Sequence, residues 1–480
     1  MKKVIIFGGA FNPIHQTHLE IARQASILLD VDVWFDVSEK PRWKSGYLGK
    51  KTRERLVKEA IRGEERFRLS EKIPSTGTVT YTIDTMLYLI DKYPNYKFYF
   101  LIGTDQVNLL DKWKDIDALK ELVQFIYIDR PGYELNKENF KKYKIKDIGL
   151  VGSEISSTKV RAGDFKLCPK PVYDIICREG LYFKEILEGI LSEHRFKHSL
   201  RVAKLAVQMA KANNIDVHKA YIAGIVHDCA KQLPKEETME LMNKHFPEHL
   251  NEAYAIYHQY LAPLLAEKYF GITDSEIFEA IQYHTTGKVG MSDLAKIIFC
   301  ADKTEPGRDY DSTFLVDRCL ENITTGFAFT MVEQIAFLQK IDHEVLINDD
   351  TKALYQEALK IKELYLLKLV VKTIDDHFGR DITIIDVSTS NPLVKYYVNC
   401  DALSERQVRA LAETVADVVC EYQYPLHHIE GRNNPEWVLV DAIDVVVNIF
   451  KTEARGNYHL EKLMADADIY SFEEVMEMEY

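Results

Sequence analysis

Three groups of residues carry side chains at spacings that can do chemistry. The first is Phe7-Gly8-Gly9-Ala10-Phe11-Asn12-Pro13-Ile14-His15-Gln16-Thr17-His18. Gly8 and Gly9 allow the backbone to approach a phosphate, and a helix starting here offers unpaired N–H donors. His15 and His18 fall on one side of its first turn and can donate to phosphate oxygens. The second group is Glu154-Ile155-Ser156-Ser157-Thr158-Lys159-Val160-Arg161. Its hydroxyls cap a helix start and donate to anions, and Arg161, one turn further in, suits a charged phosphate oxygen. The first loop alone is equally well read as two surface imidazoles near a helix cap, and the second shifts the balance. Two such loops at strand-to-helix transitions of one parallel sheet should converge at the carboxyl ends of its strands.

The third group is His198, His227-Asp228, His258, His284 and Asp302. A single His-Asp pair means little in a chain with 15 histidines. The set of six means more, because imidazoles and carboxylates spread over successive helices can meet in a bundle core. Such nitrogen and oxygen donors suit two divalent metals, iron or manganese more readily than a thiolate-held zinc, and paired metals generate hydroxide and clamp a phosphate oxygen.

The elements that must position these groups can be read from the apolar pattern. Strands are expected at 4–7, 31–37, 98–102, 125–128 and 148–151, with helices at 18–29, 53–61 and 83–92 between them. Buried runs separated by helices imply an α/β doubly wound parallel sheet. From about residue 184 to 367 long amphipathic segments, such as 198–213, 219–226, 253–269 and 329–341, predict an all-α domain. Strands then return at 382–387, 394–398, 437–440 and 445–450 around a helix at 404–419, giving a small α/β domain with a mixed sheet. The domains are drawn at 1–185, 186–365 and 366–480, with short linkers near 181–185 and 348–367 and an acidic, frayed tail from Ser471.

Composition narrows the class. A chain of 480 residues with 46% hydrophobic and 28% charged residues is globular and long enough for several cores. The opening apolar run ends at Gly8, too short for a signal peptide, and no uncharged stretch spans a bilayer, so a cytoplasmic protein is expected. Seven scattered cysteines without a C-x-x-C pair read as reduced, buried thiols. The net charge of −13 argues against a general nucleic-acid binder. It is unevenly spread, from +6 over 1–185 to −8 over 186–365 and −11 over 366–480.

With Thr80-Tyr81-Thr82-Ile83-Asp84-Thr85, Leu101-Ile102-Gly103-Thr104-Asp105 and Leu109-Leu110-Asp111-Lys112-Trp113 added to the two loops, the first 180 residues resemble the Rossmann-like nucleotidyltransferases, and among them the nicotinate (or nicotinamide) mononucleotide adenylyltransferases. The resemblance implies attack of the mononucleotide phosphate on the α-phosphorus of ATP, with magnesium on the triphosphate and no covalent intermediate. It assigns His15, His18, Ser157, Thr158 and Arg161 to the triphosphate, Lys44 to the mononucleotide phosphate and Asp105 to nucleotide hydroxyls. Trp113 either stacks on the pyridine ring or is a core aromatic. Gly8, Gly9, Phe11 and Thr82 complete the nucleotide-binding set, with His15, His18 and Arg161 as its catalytic members. The family's Gly in H-x-G-H is Thr17 here, whose Cβ is placed to crowd ATP.

Residues 186–345 resemble the HD-domain symmetrical diadenosine tetraphosphate hydrolases, through Ala223-Gly224-Ile225-Val226-His227-Asp228-Cys229-Ala230-Lys231, Tyr283-His284-Thr285-Thr286-Gly287 and Ala301-Asp302-Lys303-Thr304-Glu305-Pro306-Gly307-Arg308. The resemblance implies cleavage of the dinucleotide into two ADP. It makes His198, His227, Asp228, His258, His284 and Asp302 the metal ligands, with Asp228 also catalytic. Lys231, Thr286 and Arg308 are expected on phosphates. Gln259 stands where the family carries a smaller residue after His258, which marks the pocket beside that metal as different.

Residues 366–468 resemble the ribosomal silencing factor (Iojap) family, through Asp381-Ile382-Thr383-Ile384-Ile385-Asp386-Val387, the run 404–412, the run 436–447 and His459-Leu460-Glu461-Lys462-Leu463. Such a module binds a protein of the large ribosomal subunit and blocks subunit joining, and an acidic domain suits a basic ribosomal protein. Trp437 is the candidate contact, or a core residue. The histidines of this third, 377, 427, 428 and 459, lack metal spacing. Two other readings remain open: a mainly non-enzymatic ribosome factor with a degenerate N-terminal domain, and an HD hydrolase acting on another nucleoside polyphosphate.

Overall fold

The computed structural model describes residues 1–39, 47–71, 73, 80–153, 155–341, 347–433, 435–464 and 466–480. The chain folds as two compact units, one made of 1–200, 225–241 and 258–278, the other of 201–224, 242–257 and 279–480.

The first unit is built on a parallel sheet. Its strands are β1 (Lys2–Gly9), β2 (Asp32–Val37), β3 (Phe67–Leu69), β4 (Tyr96–Gly103), β5 (Gln124–Asp129) and β6 (Lys146–Val151), in the order β3-β2-β1-β4-β5-β6. Val4, Ile5, Ile6 and Phe7 are all buried, as an apolar run covered on both faces requires. The helices Gln16–Leu29, Lys50–Ala60, Thr82–Lys92 and Ile116–Leu122 make the crossovers between these strands. Strand order reverses between β1 and β4, which opens a crevice at their carboxyl ends. Strand β3 escapes the sequence pattern because it is three residues long at the sheet edge, and Arg68 within it lies over the Trp34 ring at 3.7 Å.

In the second unit helices come first. Gly326, in the helix Ile323–Lys340, faces Cys319 of the helix Thr313–Glu321 so closely that a Cβ would stand 2.4 Å from the Cys319 Cα. Next comes the helix Asp349–Asp376, of 28 residues and about 42 Å. The short linker expected near 348–367 is therefore helix. Its physical basis is plain: Leu366, Leu367, Val370, Val371 and Ile374 form a buried stripe in the core of the C-terminal sheet, and a continuous helix presents them together.

That sheet comprises β7 (Arg380–Asp386), β8 (Tyr396–Ala402), β9 (His428–Glu430), β10 (Trp437–Ala442), β11 (Val445–Lys451) and β12 (Asp468–Tyr470), in the order β12-β7-β8-β11-β10-β9. Only β8 and β11 run parallel among these pairs, so the sheet is mixed as expected. The helix Glu405–Glu421 packs on it, Ser404 accepting the Gln407 N–H as its cap.

The tail is not frayed. Ser471 caps the helix Phe472–Glu477, Val475 is fully buried in the same core, and Lys368 Nζ donates to the Met476 and Met478 carbonyls. All seven cysteines are free thiols, but the expectation that they are buried fails at Cys177, half-buried, and Cys420, exposed. No helix among the described residues is long and apolar enough to cross a membrane.

Candidate active sites

At the end of β1 the two anion loops are tied together by the protein itself. Ser157 Oγ donates to the Pro13 carbonyl at 2.9 Å, Arg161 Nη1 to the Asn12 carbonyl at 2.7 Å, and the Thr17 and Ser153 hydroxyls bond at 2.7 Å. Ser156, the residue before the helix Ser157–Arg161, accepts the Lys159 N–H. The convergence expected of the two loops is thus observed. Arg161 also reaches the Thr158 hydroxyl at 3.3 Å, which joins two of the predicted phosphate residues.

His15 and His18 lie ring to ring, centroids 3.7 Å apart. His18 Nδ1 accepts the His15 backbone N–H at 3.2 Å, so the proton of the neutral ring sits on Nε2. Burial, helped by the Arg130 guanidinium, lowers the His15 pKa to about 4; burial first, then His15 and Arg130, holds His18 well below 6.5. Both rings are therefore neutral donors at neutral pH. His15 Nδ1 is buried with no partner among the described residues.

The glycines have a packing reason as well. A Cβ on Gly8 would come within 2.9 Å of the Phe100 ring, and one on Gly9 within 2.9 Å of the Phe11 ring. Phe11 itself is buried against Phe7, His18 and Phe35, so its side chain belongs to the core and its backbone, at φ 42°, turns the loop. Lys44 lies outside the described residues. Thr82 opens the helix Thr82–Lys92. Asp105 is half-buried and paired with Arg130 at 3.3 Å. Trp113 is half-buried, edge-on to Phe100 and Phe125, which is the geometry of a core aromatic with one side left over.

Two arginines that the sequence reading passed over belong to this site. Arg53, fully buried, donates to the carbonyls of Ala10, Ser38 and Leu48 and so fixes the loop after β1. Arg130 follows β5 and lies across Gly103 at the end of β4, where a Cβ would meet its Cδ at 2.8 Å. Its place at a strand's carboxyl end was the signal that could have found it.

Within the first unit, His198, His227 and Asp228 are buried with ligand atoms inside 4.8 Å of one another. Asp228 Oδ2 stands 3.9 Å from His198 Nε2 and 3.7 Å from His227 Nε2, and Oδ1 stands 3.3 Å from His258 Nε2. Arg195 Nη1 pairs with Asp228 Oδ2 at 3.0 Å, and Lys231 Nζ approaches the His258 ring at 3.2 Å. Three imidazoles around one buried carboxylate form a nitrogen and oxygen donor set that fits a divalent cation.

The second unit holds the other two predicted ligands. His284 Nδ1 donates to the Ile281 carbonyl at 2.7 Å, which makes Nε2 the unprotonated nitrogen of the neutral ring. Lys303, buried, donates to the His284 carbonyl and lies 3.5 Å from Asp302 Oδ2, its pKa lowered by burial. Arg308 pairs with Asp302 Oδ1 at 2.9 Å, so this cation is engaged by a carboxylate rather than free on the surface. Thr286 is buried, its hydroxyl donating to the Gly287 carbonyl.

In the C-terminal sheet Trp437 is half-buried, stacked on Phe450 at 5.2 Å and close to Tyr458, with Nε1 donating to Asn448 Oδ1 at 3.1 Å. Most of its ring belongs to the domain's own packing.

Comparison with known proteins matches three successive stretches of the chain. Family models match residues 6–163 (cytidylyltransferase-like), 195–307 (HD domain) and 360–479 (ribosomal silencing factor during starvation). A Mycoplasma genitalium protein named probable nicotinate-nucleotide adenylyltransferase/Ap4A hydrolase is 34% identical over 64% of this chain and 88% of its own length. One of the same name from Mycoplasma pneumoniae is 30% identical over 70% of this chain and 100% of its own. A crystal structure titled as a predicted HD superfamily hydrolase involved in NAD metabolism, from Clostridium acetobutylicum, is 34% identical over 37% of this chain and 95% of its own, with a TM-score of 0.33.

Proposed function

We propose a function from the premise that the chain belongs to the family of probable nicotinate-nucleotide adenylyltransferase/Ap4A hydrolases, here joined to a domain of the ribosomal silencing factor type. The first domain transfers adenylyl from ATP to nicotinate mononucleotide. The HD domain hydrolyses diadenosine tetraphosphate to two ADP. The third docks on a protein of the large ribosomal subunit and blocks subunit joining, and the whole works in the cytoplasm.

The observation that carries the hydrolase is the buried His198, His227 and Asp228 group. Two divalent ions, iron or manganese, would be held by His198, His227, Asp228, His258, His284 and Asp302, and when bound they supply Lewis-acid polarisation of phosphate oxygens and a nucleophile at neutral pH. Asp228 faces three imidazoles from one carboxylate, so it organises the ligand set. Lys231, Thr286 and Arg308 hold the polyphosphate.

In the transferase, the mononucleotide phosphate forms a bond to the α-phosphorus while the bond to pyrophosphate breaks. Charge grows on the departing oxygens, and His15, His18, Thr158 and Arg161 meet it as donors already in place. Ser157 and Arg53 position the loop carbonyls. Lys44 holds the mononucleotide phosphate and Asp105 the nucleotide hydroxyls, with Trp113 beside the pyridine ring. The reading of a silent N-terminal domain is the weaker one, because Thr17 is buried and its hydroxyl joins the two loops through Ser153.

The test supplies ATP, magnesium and either nicotinate or nicotinamide mononucleotide, and separately diadenosine tetraphosphate with manganese. Dinucleotide formation with the nicotinate form preferred, and ADP as sole hydrolysis product, are expected. Absence of both products, or cleavage to ATP and AMP, refutes the proposal. Co-sedimentation with large ribosomal subunits tests the third domain, and no co-sedimentation refutes docking.

A further inference from the structure

Two of the histidines that lack metal spacing in sequence, His427 and His428, are brought together by the sheet. β9 is the edge strand next to β10, and the antiparallel register sets His428 opposite Asp441. The His427 N–H donates to the Asp441 carbonyl at 2.8 Å, which continues the ladder one residue beyond β9. As a result His427 Nδ1 lies 3.0 Å from Asp441 Oδ2, His428 Nδ1 lies 3.6 Å from the same oxygen, and the two Nδ1 atoms are 2.8 Å apart.

Each of two donors is oriented by a second partner. Asp441 Oδ1 accepts the Ile443 N–H at 2.9 Å, which turns Oδ2 toward the histidines. His428 Nε2 stands 2.9 Å from Glu430 Oε1; since a carboxylate only accepts, Nε2 carries the proton and Nδ1 keeps its lone pair. Outer carboxylates of this kind fix the tautomer of metal-bound imidazoles. By the same rule His427 Nδ1 carries a proton, directed at Asp441 Oδ2 and the His428 Nδ1 lone pair, so an ion that displaces this one proton meets two Nδ1 donors and one carboxylate oxygen at a point on the surface.

We propose that His427, His428 and Asp441 form a site for one borderline divalent transition ion, zinc first, with Glu430 as positioning residue. Two imidazoles and one carboxylate leave a fourth position for water in a tetrahedral shell. Around an ion with bonds of about 2.0–2.1 Å the donor atoms stand roughly 3.3 Å apart, so small rotations of these exposed side chains suffice. Bound there, the ion clamps the edge strand β9 to β10. The HD ligands play no part in this site.

The experiment compares the full chain with the double variant His427→Ala, His428→Ala, both with the HD domain first loaded with manganese. Each is titrated with zinc chloride, freed of loose metal on a desalting column and analysed for zinc and manganese. The wild type should retain one zinc equivalent more than the double variant, and Asp441→Asn should weaken binding at least about tenfold. Cobalt(II) should give the wild type a visible band of four-coordinate geometry that the double variant lacks. Unchanged diadenosine tetraphosphate cleavage in the variants serves as the folding control. Equal zinc retention and equal cobalt spectra in wild type and double variant would overturn the proposal.

Discussion

The crevice at the end of β1 and the buried histidine cluster solve opposite problems. In the crevice the protein supplies its own partners: Ser157, Arg161 and Arg53 are bonded to backbone carbonyls, and His15 and His18 are kept neutral by burial. In the cluster, His198, His227 and His258 crowd around Asp228 in a way that invites a cation. In the proposed function the first is a scaffold for an anion and the second a donor set for a cation. Substitution in the first should disturb loop geometry and transition-state contacts by degrees, while substitution in the second should remove function outright.

Asp228→Ala is the sharpest break. It takes away the one carboxylate facing three imidazoles, so bound divalent metal falls and diadenosine tetraphosphate cleavage drops to background, read by metal analysis and product chromatography. Preserved metal content and cleavage would erase the contrast. His18→Ala should lower kcat of adenylyl transfer by about 10²–10³-fold, the scale of a lost oxyanion donor, with KM for ATP changed less. A change confined to KM would move His18 from transition-state donor to ground-state binder.

The pH response sharpens the comparison further. His15 is lowered to about 4 in the folded chain against 6.5 ordinarily, so between these values the unfolded chain binds the extra proton. Stability is then full above about 6.5 and is lost as pH falls toward 4, by about 3 kcal/mol from this residue. Melting temperatures at pH 7 and pH 5 should differ less for His15→Gln than for the wild type. Thr17→Gly should give the smallest effect. It removes the Ser153 bond and adds helix entropy, costing about 1–2 kcal/mol without raising the transfer rate. A faster enzyme would mean that Thr17 does crowd ATP.

How much of this was legible in the sequence differs by region for a physical reason. The crevice loops are contiguous, so Gly8 to His18 and Ser156 to Arg161 carry their chemistry in one run. The candidate metal group of His198, His227, Asp228 and His258 is spread over successive helices, yet recognisable local contexts made it readable. Arg53 was hidden in the charged run Lys50-Lys51-Thr52-Arg53-Glu54-Arg55, where nothing distinguishes a buried arginine from its exposed neighbours. The helix Asp349–Asp376 reads as a linker in sequence because its first half is rich in charged residues, and its apolar stripe from Leu366 to Ile374 falls at the start of the next domain. The His427, His428 and Asp441 group had no signal at all, since it exists only through the register of β9 on β10.

The central claim is that one chain carries two separate active sites of these two kinds. It is tested most directly by measuring adenylyl transfer and diadenosine tetraphosphate hydrolysis on the same preparations of wild type, His18→Ala and Asp228→Ala. The account predicts both activities in the wild type, transfer alone lost in His18→Ala, and hydrolysis alone lost in Asp228→Ala. Loss of both activities in either folded variant, or absence of one activity from the wild type with its metal supplied, would contradict it.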